Sequence, residues 1–587
     1  MKKILFWLAS IGLAILATLP YLNSFVIGGD DACKHAPQIM ALAEEIKAFH
    51  LPFGALSHAR MGNGEISALM YPRFFSSLAS WLTAFGMNAV VATKVFIFLL
   101  NLATILISYW SAKKITKSSM ASWVITILYT FALYRIGDIY MRFALGEFVV
   151  MAFMPFVLYS IYNIFYEEKI NIYLFPIAFF CVVNSHLITM TFVFIIFVIF
   201  FLANLHKLVS LRGTTFRSNP GTLVPVLKVA GLLRPLRCAR SPRNDIFKKY
   251  LAFNWKFFWT LLKIGILTII VSLGFLLPML EQNLSQRLSL PGPWDMKTVA
   301  QEFGNMFSNR LVYPPASWGI GYALCLAPLF ILIPWKHIKN KHFFITSLII
   351  MIVSFVMTTN IVPWDTFRKL FSYVQFPWRF HTIFILFASF ACGMAIMNTF
   401  EYFKNIKIQY ALYGIIIALI TYNAFVVLSN IDVRRHYYAE GVWDYNRVVA
   451  GNENYFYYPD KDYLPIYFPE RDLWTTAKDT FTNAEYSVET VKTKKIADVK
   501  AGVIEMPITY YKGYSAKLVP DSGKKIKLDI NRSFIGRMVL DVPQDGKVVI
   551  RYNGTPILWI TKIISYGTMI WMLLLLIKKK YIFKRRK

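Results

Sequence analysis

Apolar runs of about 20 residues recur along the whole chain, each long enough to cross a ~30 Å hydrocarbon layer as a helix. They fall near 4–22, 88–110, 119–134, 147–165, 171–184, 188–206, 259–280, 320–335, 343–358, 381–399, 409–429 and 556–577, and predict about twelve transmembrane helices. Several are short, and 171–206 also reads as one re-entrant pair. The first run follows Met1-Lys2-Lys3, is long for a signal-peptide core and precedes no small-x-small cleavage site, so it is expected to stay as a helix. The pattern changes after residue 430. Residues 430–555 are polar enough and long enough to fold outside the membrane. Within 485–553, "YSVETVKT", "GVIEMPITYY", "AKLV" followed by "PDSGKKIKLDI", and "RMVLDV" followed by "PQDGKVVIRYNG" alternate with period two between turn residues. The expected fold class is an all-α polytopic membrane protein with a small extracytoplasmic β-sandwich near the C-terminus.

Composition agrees: of 587 residues, 56% are hydrophobic and 16% charged, which places the chain outside the soluble range. The net charge of +31 argues for topology and against nucleic acid, because Lys and Arg gather in short runs between apolar blocks. SAKKITKS (111–118), YEEKI (166–170), the loop 207–258, WKHIKNKH (335–342), EYFKNIK (401–407) and the tail KKKYIFKRRK (578–587) all fall on one side when both termini are cytoplasmic. The other face then receives 23–87, 135–146, 281–319, 359–380 and 430–555. This divides the chain into a transmembrane domain (1–429), an extracytoplasmic domain (430–555), and a final helix with a basic cytoplasmic tail (556–587). Residues 211–243 stand apart in their use of Arg, Pro, Gly and Leu, and read as either a docking loop or an inserted segment without a part in the activity. Frequent Ile, Lys, Phe, Tyr and Asn fit a bacterium with an AT-rich genome.

Ionisable groups close to a membrane are costly unless paired or wet, so those on the outer face are the candidate chemistry. In "VIGGDDACKHAPQI", Asp31 and His35 are spaced i,i+4 and share a helix face, with Asp30 adjacent. Ile39, Leu42, Ile46 and Phe49 would form a stripe lying on the bilayer surface, Pro37 would delay the regular helix to near Ala36, and an aspartate is equally an N-cap. The short outer loop "RIGDIYMRFALGE" carries Asp138, Arg142 and Glu147; Arg142 either grips a phosphate or closes an ion pair with Glu147. "NSHLIT" places His186 at a helix boundary. "QFPWRFHT" places Trp378 and Arg379 at a membrane boundary, as an interfacial belt with a snorkelling arginine or as a grip on an anionic headgroup.

These segments, with "LPFGALSHARMGNGEISALMYP" and "DIYMRFALGEFVVMAFMPFVLYS", resemble the bacterial YfhO-like membrane proteins and their 6-pyruvoyl-tetrahydropterin synthase-related relatives. The architecture of that family resembles the GT-C glycosyltransferases. "MPITYYKGYSAKL" and "VLDVPQDGKVVIRY" are similar to the β-domain of the same proteins, with Tyr514 at a position where a Trp is usual. The resemblance covers most of the chain outside 211–243. It carries no pterin chemistry here, since no three-histidine zinc site is clustered.

The resemblance implies transfer of a sugar from a polyprenyl-phosphate donor to an envelope polymer or lipid acceptor, at the outer face of a bacterial cytoplasmic membrane. The catalytic carboxylate of the first outer loop matches Asp31, with Asp30 beside it and His35 as orienting partner. Arg142, Glu147, Asp138, His186, Arg379 and Trp378 would hold the substrate, Glu147 being a reserve carboxylate. No cofactor is implied; Asp30 and Asp31 are adjacent rather than separated as in a DxD motif, and a divalent metal stays open. A transporter or flippase of lipid-linked intermediates and a non-catalytic assembly factor are the alternatives.

Overall fold

The computed structural model describes residues 2–22, 26–51, 54–59, 63–211, 251–289, 295–311, 318–332, 335–336, 338, 340–403, 405–431, 443–444, 464–467 and 488–585. The segment 212–243 and most of 430–487 lie outside the described residues.

The protein is mostly helical and membrane-embedded. Among the described residues six helices are long and apolar enough to cross a bilayer: Ala89–Thr116, Leu145–Tyr166, Trp255–Ser285, Pro377–Phe400, Ile406–Ser429 and Pro556–Lys578. Ser119–Thr130 and Leu133–Tyr140 meet at a 40° bend and make a seventh span if they are one broken helix. Five shorter apolar helices, Lys3–Ala17, Leu174–Val183, Leu187–Ala203, Tyr322–Leu332 and Lys341–Val356, fall at the other expected positions. At ~1.5 Å per residue, 10–17 residues rise only about 15–25 Å, short of a full hydrocarbon layer. Twelve spans were expected; among the described residues six or seven have sufficient length on their own.

Polar residues before the apolar runs set the helix starts. Asn88 Oδ1 accepts from Val90 N–H at 3.0 Å, Ser118 Oγ from Ala121 N–H at 3.3 Å, and Asn254 Oδ1 from Phe257 N–H at 3.1 Å. The Leu145–Tyr166 and Pro377–Phe400 helices are almost wholly enclosed by the others, while Ile406–Ser429 and the C-terminal helix stay peripheral. The C-terminal helix packs along Trp255–Ser285, where Gly274 faces Ser565: a Cβ on the glycine would stand 2.7 Å from the serine Cβ. Ser565 Oγ donates to Val271 O at 2.5 Å. Small residues bring the two backbones close enough for this bond, as is common between membrane helices.

Strands β1 (Val26–Ile27), β2 (Val209–Leu211), β3 (Leu251–Phe253) and β4 (Trp443–Asp444) form two short antiparallel pairs, β1 with β4 and β2 with β3. The remaining strands, β5 (Val488–Val491), β6 (Lys494–Val499), β7 (Gly502–Thr509), β8 (Tyr514–Val519), β9 (Ile526–Leu528), β10 (Ile530–Arg532), β11 (Arg537–Val542) and β12 (Gly546–Tyr552), build a small antiparallel region near the C-terminus. One sheet runs β5-β6-β12-β8-β9 and the other β10-β11-β7. Their alternating apolar residues, among them Ala497, Leu518 and Ile550 from the first and Met506, Met538 and Leu540 from the second, meet in one core. Strand β6 was not among the expected strands.

This β unit is tied to the segment that follows the first helix. Glu45, His50, Ser57 and Lys495 are all buried. Glu45 accepts from Ser57 N–H at 2.6 Å and shares a hydrogen bond with His50 Nδ1 at 2.5 Å; His50 Nε2 reaches Tyr552 O. Lys495 Nζ donates to Ser57 O at 2.6 Å and Thr490 Oγ1 at 2.7 Å. From the other side Gln282 and Gln286, at the end of the Trp255–Ser285 helix, donate to the carbonyls of Lys512 and Tyr510 at 2.7 and 2.8 Å. Removing one member of such a buried network strands its partners, at a cost of about 3–5 kcal/mol. Glu45→Ala is therefore expected to lower the melting temperature of the detergent-purified protein and to expose 488–553 to protease; unchanged cleavage would show that these bonds do not hold the β unit in place.

Candidate functional site

The segment Arg135–Glu147 is not the loop expected from its polarity. Its first part is the helix Leu133–Tyr140, buried throughout, because Arg135 finds interior partners: Nη2 donates to Asn101 Oδ1 and Thr104 Oγ1, both at 2.9 Å, and Nη1 to Thr130 O at 3.2 Å. Only residues 141–144 turn, with Phe143 in the left-handed region at φ 53°, before Glu147 enters the first turn of Leu145–Tyr166. Tyr134, Asp138 and Arg142 lie four residues apart and face the same way, towards that glutamate.

Glu147 is the meeting point. Its Oε1 accepts from Tyr134 OH at 2.6 Å and from Thr382 Oγ1 at 2.9 Å. Its Oε2 faces Arg142 Nη1 at 3.3 Å and Arg379 Nε at 3.6 Å. Arg142 Nη1 also donates to Asp138 Oδ1 at 2.6 Å, while Asp138 Oδ2 is buried with no hydrogen-bond partner among the described residues. None of Asp138, Arg142, Glu147, His186, Trp378 and Arg379 exposes more than 9% of its surface.

Arg379 therefore does not snorkel. Its Nη1 donates to Gln375 Oε1 at 2.6 Å and Val374 O at 2.9 Å, and its guanidinium lies 5.0 Å from the Phe376 ring centre. Trp378 stacks on Phe376 with ring centres 4.4 Å apart and lies inside the protein rather than in an aromatic belt. The reason is electrostatic: a buried carboxylate on a neighbouring helix holds the guanidinium better than a headgroup layer that it would have to reach past packed helices. His186 occupies the N-cap position of Leu187–Ala203, with Nδ1 2.9 Å from Thr189 Oγ1 and its ring 6.4 Å from that of Tyr71.

The first polar segment closes over this cluster. Gly29, at φ 134°, lies so near the 142–143 backbone that a Cβ would stand 2.7 Å from the Arg142 carbonyl carbon. Asp31 N–H then donates to Arg142 O at 2.8 Å. The helix begins at Ala32, earlier than expected, and carries Pro37 in its second turn. Asp31 sits at its N-cap, makes no side-chain capping bond, and is half-exposed. Asp30 is exposed beside it. Protein crowding one side and the charge of Asp31 raise its carboxyl above the usual range, Arg142 opposes them, and water on the open side screens all three.

His35 is not placed as a partner of the Asp31 carboxylate. The ring is buried against Tyr71 and Phe143, at 5.6 and 6.1 Å between ring centres, and Nδ1 has no partner among the described residues. The expected bilayer-facing stripe is also corrected. Ile39, Leu42 and Ile46 are buried, the last two in a cluster with Leu56 and Trp81, because the helix Ser77–Ala84 and the 55–59 turn offer closer apolar cover than lipid; Phe49 alone is exposed.

Among the described residues no three of His, Cys, Asp and Glu are grouped as a metal site requires. No family model matches the sequence, and no curated protein matches it. Tyr134 and Thr382 were missed by the sequence reading; Tyr134 was detectable as the i−4 neighbour of Asp138, and Thr382 closes the quoted "QFPWRFHT".

Two outcomes follow. Glu147→Gln removes the charge shared by two buried guanidiniums and should cost about 3–5 kcal/mol, read as a large fall in melting temperature, whereas a free-standing glutamate would tolerate the change. Burial, reinforced by Arg73, Lys34 and His186, holds the imidazole of His35 well below its usual 6.5. The unfolded chain then binds the proton in preference, so this contribution to stability is complete above about pH 6.5 and is lost as the pH falls below it. The melting temperature of His35→Gln should accordingly depend less on pH between 6.5 and 5 than that of the parent protein.

Proposed function

We propose that this chain is a membrane glycosyltransferase of the GT-C type, related to the YfhO-like proteins, that moves a sugar from a polyprenyl-phosphate donor to an envelope polymer or lipid on the outer face of a bacterial cytoplasmic membrane. What supports the reading is that Asp31, half-exposed and without a side-chain capping bond, belongs to a segment whose backbone is bonded to Arg142 O at 2.8 Å, beside the buried Arg142–Glu147–Arg379 cluster.

The chemistry needs little more. Asp31 takes the proton from the acceptor hydroxyl as its oxygen bonds to the sugar's anomeric carbon. The bond from that carbon to the phosphate oxygen breaks, and the phosphate leaves with the electron pair. Arg142 and Arg379 exchange part of their hold on Glu147 for the phosphate oxygens, and planar guanidinium groups suit that contact. Asp30, at the rim, helps bind the acceptor; neutral His35 keeps Tyr71 in place as a positioning residue. Trp378 and His186 wall the donor headgroup, and Asp138 keeps Arg142 aimed when Glu147 yields. In this reading the bent pair and the five shorter apolar helices also belong to the membrane domain. The count then returns to twelve, with both termini cytoplasmic and the β unit outside.

The saturated pairing of both arginines with Glu147 favours a second reading, a non-catalytic assembly factor in which the cluster is structural and the β unit binds the partner. One variant separates the two. Asp31→Asn is nearly isosteric and makes no bond that folding needs, so it should express and melt like the parent. For the enzyme it should abolish the sugar modification, since general-base help is worth ~10²–10⁴-fold. Envelope polymers from a strain carrying only this variant, analysed for sugar content, give the answer; normal glycosylation refutes the enzymatic reading.

A further inference from the structure

At the far end of Leu145–Tyr166 from Glu147, about 30 Å along the helix axis, lies a cavity of about 400 Å³. That volume is within the range of small-molecule sites. Its walls come from the end of that helix, the 205–207 turn and the strand β3 with the start of Trp255–Ser285.

Its chemistry is divided. One side is apolar, with Ile164, Phe253 and Phe257. The other carries Lys207 and His206, with Glu167 also lining it. Glu167 is already neutralised, since Lys117 Nζ stands 3.4 Å away and Asn163 Nδ2 donates to it at 2.5 Å. Lys207 is held in place by donation to Phe165 O and by the Tyr166 ring, 5.9 Å from its Nζ. An ammonium has three protons, so two remain to be given. The cavity thus holds a fixed, half-buried cation that forms no ion pair among the described residues. Beside it Phe253, Trp255 and Trp259 are exposed, which marks the water–lipid boundary.

We propose that this cavity binds an anionic glycerophospholipid, its phosphate on Lys207 and the exposed His206, its glycerol and upper acyl chain against Phe253 and Phe257. A soluble anion would satisfy the lysine but would gain nothing from the apolar wall. A neutral lipid would use the wall and leave the ammonium without a counter-charge. Basic pockets beside membrane helices recognise acidic headgroups on the same grounds.

The test uses the full chain in detergent, melted in the presence of added phosphatidylglycerol, phosphatidylcholine or inorganic phosphate at matched concentrations. Phosphatidylglycerol is expected to raise the melting temperature saturably, and the other two are not. Lys207→Gln should weaken the apparent affinity about five-fold, the worth of one cation near an acidic lipid, and Lys207→Arg should retain it. His206→Ala, at the exposed rim where folding is not at stake, should weaken it about three-fold, the worth of one hydrogen bond. Equal stabilisation by phosphatidylcholine would make the effect non-specific, and equal stabilisation by phosphate would make the site one for free anions. Either result overturns the proposal, as would unchanged affinity in both Lys207→Gln and His206→Ala.

Discussion

A carboxylate buried among apolar helices has to be answered by donors or be protonated, and Glu147 is answered from four directions. Tyr134 and Arg142 come from the segment before its own helix, Arg379 and Thr382 from the start of the enclosed Pro377–Phe400 helix. Those contacts fix the angle at which two central helices meet, and with it the position of every group above them. Asp138 adds a second carboxylate on Arg142, whose carbonyl accepts from Asp31 N–H. The cluster sets two buried acids, Glu147 and Asp138, against two arginines, Arg142 and Arg379, so that their formal charges offset.

The β unit repeats this strategy where it meets the helices. Its own core is ordinary, two sheets meeting across alternating aliphatic residues. What holds it to the helices is polar: Glu45, His50 and Lys495 on one side, Gln282 and Gln286 on the other. Tyr511 and Tyr552 pack with Ala55, Leu69 and Leu558 between the two sets of bonds. Apolar contact supplies attraction there, and the hydrogen bonds supply one orientation, since most rotated dockings would leave buried donors unpaired.

Helix positions were legible because twenty-residue apolar runs have few other outcomes, and the β region because period-two alternation with Gly and Pro turns is local information. What failed was any inference that depended on who the neighbour is. Ile39, Leu42 and Ile46 form the same stripe whether lipid or protein covers it, and only the fold decides that Trp81 and Leu56 do. Arg379 beside three aromatics looks identical as a snorkelling residue and as a buried one, and the deciding partner, Glu147, is more than two hundred positions away in the chain. Residues 135–140 were misread as a loop because their charges were counted as exposed, whereas Asn101, Thr104 and a carbonyl accept them inside. The proximity of the "GGDD" and "RFALGE" segments is real, but its cause, Gly29 pressed against the 142–143 backbone, is a matter of φ that no spacing encodes.

The bond between His50 and the carbonyl of Tyr552 joins positions 502 residues apart. At a ribosomal pace of ~5–20 residues per second, the stretch around His50 leaves the ribosome roughly 25–100 seconds before its partner is made. For that interval Glu45 and His50 have each other but not the strand that completes them, while every intervening helix is inserted. This contact is thus closed by a strand made late in synthesis, and any nascent chain halted before residue 552 leaves the early segment open to whatever quality-control machinery surveys the membrane surface.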